Sequence, residues 1–216
     1  MIHSRSIGHF ALLVLAALTL SCADSGAPTA PVGEETLITP PLPGSPGGTN
    51  GGEWIPIAPS TDPNGKQVRG ARWSSTRTPV ELSVTGTIGP EGGSLSIPRA
   101  DFVIEFPPGA LAAPTTITID SKESPWVTYD MQPHGLVFLK PVYVMQALAR
   151  TATHQTPAAF FLFGAYLPEG RETVQPDNTA ISTETTPSFI YLDANGVPTW
   201  SVWLLSHFSR YMLASG

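Results

Sequence analysis

Hydrophobic and polar residues alternate along much of the chain after its first third, with the two-residue period of β-strands. In "FVIEFPPGAL", Phe102, Ile104 and Phe106 fall on one face of such a strand. The stretch "TTITID" repeats the pattern with Ile117 and Ile119. We therefore expect these five side chains to point into a hydrophobic core.

Two longer apolar runs, "GLVFLKPVYVMQAL" and "AAFFLFGAYL", are typical of strands buried on both faces. The stretch "SFIYLDANGVPTWSVWLL" predicts two strands joined by a turn at Asn195-Gly196. Short strands separated by proline and glycine, without a convincing amphipathic helix, indicate an all-β domain over residues 76–216. Such a domain is a β-sandwich or a closed sheet.

The N-terminal part of the chain has a different pattern. An apolar run of 11 residues extends from Phe10 to Leu20 after a short polar start that contains Arg5. This run is too short to span a bilayer, and it fits the apolar core of an export signal. We therefore predict a lipoprotein signal peptide over residues 1–21.

The chain has a single cysteine, Cys22, which cannot form an internal disulfide. Because "LTLSC" resembles a bacterial lipobox, we expect Cys22 to carry a lipid anchor, although Thr19 stands where that pattern usually has leucine. The resemblance to Gram-negative sorting signals, with Ala23 and not aspartate after the cysteine, implies an outer-membrane location. The alternative is an ordinary signal peptide that is cleaved nearby, with Cys22 incidental.

The next segment is rich in proline and glycine. Residues 26–65 contain 9 prolines and 8 glycines in 40 positions, with few large apolar side chains. This composition predicts a disordered, Pro/Gly-rich tether over residues 22–75, ahead of the domain. Trp54, Ile55 and Ile57 interrupt it, and they either pack on the domain or form an apolar spot within the tether.

Charge and residue spacing exclude several functions. The net charge is −6 and no basic stripe occurs, so we expect no nucleic-acid partner. Beyond the signal peptide the histidines are His134, His154 and His207, and they lack the spacing of metal ligands. No nucleophile elbow or phosphate loop is present. The carboxylates, such as Glu105, Asp120 and Glu123, are scattered; a glycosidase pair among them stays open, but nothing singles one out. We therefore predict a non-enzymatic protein without a metal or cofactor.

Several motifs together resemble the ZU-five domain, a module of ankyrins and Unc-five netrin receptors. They are "GPEGGSLSIP", "FVIEFPPGAL" and "PHGLVFLKPVYV", with "SHFSRYML" similar to the closing strand of that domain. Gly109 in the second motif would permit a tight bend after the strand. The resemblance implies a β-sandwich that binds a protein partner or has a structural role.

The triplet His207, Phe208 and Ser209 adds an alternative of another class. In some ZU-five-like proteins a similar triplet cuts its own chain between phenylalanine and serine, so the resemblance implies possible autoproteolysis here. In an extended strand His207 and Ser209 would share a face, because they are two residues apart. The structural interpretation is that Phe208 fills the core while its neighbours face outward or form hydrogen bonds.

The tryptophans offer a third, weaker alternative, which is a glycan-binding surface. Trp126, Trp200 and Trp203 lie in or beside predicted strands. Because Trp200 and Trp203 differ by an odd number, an unbroken strand would place them on opposite faces. We expect at least one of the two in the core, where aromatic side chains contribute most of the buried area of a sandwich.

Overall fold

The computed structural model describes residues 53–74 and 80–216. Within these ranges the chain is nearly all β, and two antiparallel sheets pack together as in a β-sandwich. The predicted all-β fold class is therefore confirmed at that level. The predicted signal peptide, the lipidation site Cys22 and the tether up to residue 52 lie outside the described residues.

Two 3-10 turns, Pro98–Ala100 and Pro157–Phe161, lie between the strands of the described residues. In chain order they are β1 (Glu53–Ile57), β2 (Ser60–Gly70), β3 (Leu82–Ile88), β4 (Gly93–Ile97), β5 (Phe102–Phe106), β6 (Thr115–Ser121), β7 (Thr128–Gln132), β8 (Val137–Ala147), β9 (Phe163–Tyr166), β10 (Thr179–Thr185), β11 (Ser188–Leu192), β12 (Pro198–His207) and β13 (Arg210–Ser215).

The first sheet has the spatial order β1-β11-β12-β8-β5-β4, and the second has the order β2-β10-β9-β13-β7-β6-β3. Strand β2 also pairs with β13, so β2, β10, β9 and β13 form a closed set of pairings at one end of the second sheet. The chain passes repeatedly between the sheets, and the passages from β10 to β11 and from β12 to β13 each take only two residues.

The main core lies between the two sheets. The five side chains that the alternation places in the core are all buried there: Phe102, Ile104, Ile117 and Ile119 are 0% exposed and Phe106 is 1% exposed. The prediction of their inward orientation is confirmed. The two strands that carry them belong to different sheets, so the same period of two supplies both halves of the core.

Strand β13 is buried on both of its faces. Tyr211 and Leu213 belong to the main core, whereas Met212 and Ala214 belong to a second, smaller core inside the closed set of strands. That second core also contains Val68, Phe163, Ala165, Leu167 and Ala180. The C-terminal strand therefore joins two apolar layers through the central four residues of β13, "YMLA".

The predicted domain boundary at residue 76 is wrong, because residues 53–74 are part of the folded domain. Strand β1 pairs with β11, and β2 pairs with both β10 and β13. Pro56 is tolerated because β1 is an edge strand, and Pro63 and Gly65 lie where the register between β2 and β10 shifts. Ile55 and Ile57 pack against the main core, so this apolar stretch docks on the domain.

Two further predictions concern single segments. The hairpin at Asn195-Gly196 is confirmed: the turn links β11 to β12, and Gly196 has φ +76°. The run "AAFFLFGAYL" is not one buried strand, because its first half forms the 3-10 turn Pro157–Phe161 and only Phe163–Tyr166 is strand. Phe161 at the end of that turn is 65% exposed.

Three of the motifs that resemble a ZU-five domain meet at one end of the sandwich. Gly109 has φ +80°, and its amide donates to the Pro90 carbonyl at 2.7 Å. The Lys140 ammonium donates to the Pro108 carbonyl at 2.6 Å, and the Leu139 amide donates to the Ala110 carbonyl at 2.9 Å. The predicted tight bend at Gly109 is confirmed, and the bend ties the three motifs together.

Candidate functional site

The triplet His207, Phe208 and Ser209 forms the passage from the first sheet to the second. His207 is the last residue of β12 and Arg210 is the first of β13, so only two residues connect the sheets. The expected continuous closing strand is therefore wrong, because the chain must change sheets here. The argument that His207 and Ser209 share the face of an extended strand no longer applies.

Phe208 is held on all sides at this passage. Its side chain is 0% exposed, and its ring centroid lies 4.8 Å from that of Phe138 and 6.1 Å from that of Phe106. Its amide donates to the Leu136 carbonyl at 2.8 Å, and its carbonyl accepts from the Gly135 amide at 2.9 Å. The expectation that Phe208 fills the core is confirmed.

His207 belongs to a polar cluster beside the passage. Its Nε2 lies 3.2 Å from Glu184 Oε2 and 3.2 Å from the Tyr211 hydroxyl. The Tyr166 and His207 rings pack edge to face, with their centroids 5.6 Å apart. The hydrogen bond to Glu184 raises the pKa of His207 above its ordinary value, although partial burial acts in the opposite direction. Burial also raises the pKa of Tyr211, so this hydroxyl stays protonated.

The geometry bears directly on autoproteolysis. The amide of Gly135 donates to the carbonyl that Ser209 would have to attack, so this carbonyl is polarised by one backbone donor. Within the described part of the chain, however, the hydrogen-bond partners of the His207 ring are Glu184 and Tyr211. The His207 ring therefore forms its hydrogen bonds with these two residues and not with Ser209.

An ion cluster lies next to the passage on the outer side of the second sheet. The buried carboxylate of Asp130 accepts from Arg210 Nη2 at 2.6 Å and contacts His134 Nε2 at 2.6 Å. Burial alone would raise the pKa of Asp130, but the hydrogen bonds from Arg210 and His134 outweigh it and lower the pKa. Because Arg210 and Asp130 are paired in register, the cluster fixes β13 against β7.

The outer side of the first sheet carries a second apolar surface. Because side chains alternate between the two faces of a strand, Val103, Met145 and Val202 point away from the main core. All three are nevertheless buried. They are covered by aromatic side chains that are themselves half-buried. We call this surface the outer aromatic face, and it consists of the three aliphatic residues with Trp54, Tyr143, Phe189, Tyr191 and Trp200.

The register of the strands explains how the outer aromatic face is assembled. Trp54 on β1 is paired with Tyr191 on β11, which is paired in turn with Trp200 on β12. The ring centroids of Trp54 and Tyr191 lie 4.9 Å apart, and those of Trp54 and Phe189 lie 6.3 Å apart. Three strands therefore contribute aromatic side chains to one face, and the ring of Trp54 contacts those of Tyr191 and Phe189 there.

The outer side of the second sheet is quite different where β3 pairs with β6. Thr85 and Thr118 are 2.9 Å apart at their hydroxyls, and Thr87 and Thr116 are 3.5 Å apart. Such a polar surface is usual for an antiparallel sheet with one face in water. This threonine-lined part of the second sheet thus differs sharply in polarity from the outer aromatic face.

The three tryptophans Trp126, Trp200 and Trp203 lie in different surroundings in the structure. Trp203 is 0% exposed, and its indole N–H donates to Ser201 Oγ at 2.9 Å, whereas Trp200 lies on the outer aromatic face. The prediction of opposite faces is confirmed. Trp126 is partly buried and donates to Asn178 Oδ1 at 3.2 Å, so it contributes to local structure near β2.

A separate apolar pocket of about 690 Å³ opens beside the β11–β12 turn. Its walls come from β1, from that turn and from the 3-10 turn Pro157–Phe161; they include Ile55, Pro157, Phe160, Phe161, Val197 and Pro198. These segments are far apart in the sequence. Sequence reasoning missed the pocket because no local pattern brings them together.

Among residues 53–74 and 80–216, no three histidine or acidic side chains come together in a way that could hold a metal ion. Those residues also form no helix that is long and apolar enough to cross a membrane. A scan against protein-family models and a search of curated proteins each gave no match to this chain.

Proposed function

We propose that this chain is a bacterial envelope lipoprotein whose ZU-five-like domain binds a partner protein through the outer aromatic face. The single observation that carries the proposal is the contrast between that face and the threonine-rich outer face of the second sheet. Apolar side chains that cover an outer sheet surface are a common mark of an interaction site in a soluble domain. The role is one of binding, without catalysis.

The chemistry of the face suits a protein partner. Tryptophan and tyrosine contribute large contact areas and are enriched among the residues that dominate binding energy at protein interfaces. Val202 and Met145 form a well-packed floor beneath the rings, since they are 0% and 1% exposed. A partner that covers the half-buried rings would therefore bury apolar area without ordering a mobile surface first.

A glycan is a poorer occupant of this face. The rings of Trp54 and Tyr191 are inclined by 52°, and those of Trp54 and Phe189 by 87°. An extended sugar chain stacks best on aromatic rings that lie in one plane, and Trp54, Tyr191 and Phe189 share no common plane. The floor is aliphatic and offers few hydrogen-bond partners for hydroxyl groups. These observations favour a protein over a polysaccharide.

The ZU-five assignment and the anchor complete the proposal. Support for the first is the convergence of three motifs at Gly109 and Lys140. Support for the second is the position of the single cysteine, Cys22, directly after an apolar export segment. The lipid would sit in the outer membrane, and residues 23–52 would serve as the tether. The chain enters the domain at Glu53, on the edge strand of the sheet that carries the outer aromatic face.

Matched variants of the full chain test the binding role. Trp200→Glu places a charge on the outer aromatic face, and Thr118→Glu places the same charge on the opposite face. In detergent-solubilised envelopes, the wild type and Thr118→Glu should retain the same protein partner. Trp200→Glu should retain it at least tenfold less while the domain still melts cooperatively. Equal retention by both variants would contradict the proposal, and Tyr191→Ser provides a milder second test if Trp200→Glu does not fold.

The anchor has its own test. Cys22→Ser should move the protein from the membrane fraction to the soluble fraction, and only the wild type should incorporate labelled fatty acid. A wild-type chain that takes up no fatty acid would overturn the anchor and leave the binding role of the domain standing.

Autoproteolysis is the second candidate, favoured by the hydrogen bond from Gly135 to the Phe208 carbonyl. In this reaction Ser209 Oγ would attack the Phe208 carbonyl carbon and lose its proton to a base such as His207. The C–N bond would then break as the nitrogen takes a proton, leaving an ester between Phe208 and Ser209. Water would hydrolyse that ester and release the segment that begins at Ser209. The His207 ring is hydrogen-bonded to Glu184 and Tyr211 and not to Ser209. We therefore place autoproteolysis below the binding role.

A further inference from the structure

The apolar pocket beside the β11–β12 turn is distinct from the outer aromatic face. Ile55 lines the pocket and packs toward the main core, whereas its neighbour Trp54 lies on the other side of β1. Phe161, at the pocket rim, is 65% exposed, although phenylalanine is usually buried. A pocket of about 690 Å³ is within the size range of protein ligand sites.

We propose that this pocket binds the chain's own proline-rich segment "LITPPLP", residues 37–43. The first argument is the place where the chain enters the domain. Glu53 is paired with Leu192, the last residue of β11, so the chain arrives beside the turn that follows β11. Gly196, Val197 and Pro198 of that turn line the pocket. The residues that precede Glu53 therefore start next to the site.

The chain between the segment and β1 is long enough for the segment to contact the pocket. Residues 44–52, "GSPGGTNGG", separate the segment from β1, and they contain no large side chain. Nine residues of a glycine-rich chain span roughly 15–18 Å on average and at most about 30 Å when extended. That length is sufficient for the segment to turn back onto a pocket whose wall begins two residues into β1, at Ile55.

The residues of the segment also match the chemistry of the pocket wall. Proline-rich peptides bind grooves lined by aromatic side chains, because the fixed φ of proline reduces the entropy lost on binding. The pocket provides Phe160 and Phe161 together with two prolines of its own. The segment provides Leu37, Ile38 and Leu42 beside its prolines, and it carries no charge. An uncharged apolar peptide thus meets an apolar wall.

Docking of this segment would have two consequences. It would cover Phe161, and it would confine the first part of the proposed tether to the domain surface, so that only the residues between Cys22 and Leu37 would set the distance to the lipid. The inference does not depend on the outer aromatic face, because the two surfaces lie on opposite sides of β1.

Photo-crosslinking in the full chain tests the inference. A benzoylphenylalanine replaces Phe161 in a Cys22→Ser background, so that no acyl chain is present, and the products are mapped by mass spectrometry. We expect an intramolecular adduct within residues 37–43. The matched control replaces Leu139, which is 71% exposed and outside the pocket, and should give no adduct with that segment.

A second variant separates docking from mere proximity. Leu37→Ser, Ile38→Ser and Leu42→Ser together keep the length and the prolines but remove the apolar contacts. The adduct from position 161 should then fall at least fivefold, while the melting temperature of the domain stays within a few degrees. An adduct that is unchanged by the triple variant, that joins two copies of the chain, or that forms elsewhere would overturn the inference, as would the absence of any adduct.

Discussion

The backbone amide of Gly135 donates a hydrogen bond of 2.9 Å to the carbonyl of Phe208, at the point where the chain passes between the sheets. On the other side of the same residue, the Phe208 amide donates to the Leu136 carbonyl. The loop before β8 therefore holds the passage from both directions. Because the Phe208 side chain is also fully buried, the passage is a fixed part of the core.

The packing of Phe208 leads to a prediction about stability. Phe208→Ala would remove a ring that contacts Phe106 and Phe138 and would leave a cavity between the sheets. We expect the free energy of unfolding to fall by about 3–5 kcal/mol, the usual range for a buried aromatic residue. Denaturant unfolding of the wild type and the variant measures this. A loss well below 1 kcal/mol would mean that the ring is not part of the core.

The peptide bond after Phe208 should stay intact. The His207 ring is hydrogen-bonded to Glu184 and Tyr211, so it is not placed to take a proton from Ser209. Resonance also stabilises an unstrained amide against attack. Intact-mass spectrometry of freshly purified protein, and of protein incubated near neutral pH, should therefore show one uncleaved species. A fragment that ends at Phe208 in the wild type, and that disappears in Ser209→Ala, would instead establish autoproteolysis.

The contact between His207 and Glu184 predicts a pH-dependent contribution to stability. The pKa of His207 is raised in the folded protein, so this contribution is complete below the ordinary histidine pKa of 6.5 and is lost as the pH rises through the higher folded value. The loss of stability caused by His207→Gln should thus be larger at pH 6 than at pH 8. The Tyr211 hydroxyl that contacts His207 remains uncharged in this range, because burial raises the pKa of Tyr211.

Glu184→Gln is the matched control for the histidine prediction. It keeps the size of the side chain but removes the charge that favours the protonated imidazole. In this background, His207→Gln should lower stability by nearly the same amount at pH 6 and pH 8. A pH dependence that survives Glu184→Gln would show that another group sets the pKa of His207.

Strands β1 and β2 predict where the domain can be shortened. A chain that begins at residue 53 should melt cooperatively, near the temperature of the full chain. A chain that begins at residue 75 lacks Val68 from the second core and Ile55 from the edge of the main core, and it should lose its cooperative transition. Calorimetry compares the two. A sharp transition in the chain that begins at residue 75 would show that residues 53–74 are not needed for folding and belong to the tether.

The features that could be predicted from the sequence are local ones. The period of two assigns Phe102 and Ile119 to the core, and the odd spacing of Trp200 and Trp203 places them on opposite faces. The turn at Asn195-Gly196 follows from residues that tolerate its backbone angles. Each of these depends only on neighbours in the chain, so no knowledge of the sheet order is needed.

The features that could not be predicted depend on pairing between distant strands. The outer aromatic face exists because β1 lies against β11, which brings Trp54 to Tyr191. Composition also misassigned β2, since Pro63 and Gly65 count toward disorder in a tally but lie at a register shift within a strand pair. Proline and glycine report on backbone geometry, and their density alone does not distinguish a tether from an irregular edge.

The most direct test of the binding role is photo-crosslinking from the outer aromatic face in cells that produce the full chain. Benzoylphenylalanine at Trp200 should form an adduct with one discrete protein, while the same group at Thr118, on the polar face of the second sheet, should form none. Adducts of equal yield from both positions, adducts with polysaccharide in place of protein, or no adduct from Trp200 would contradict the proposed function.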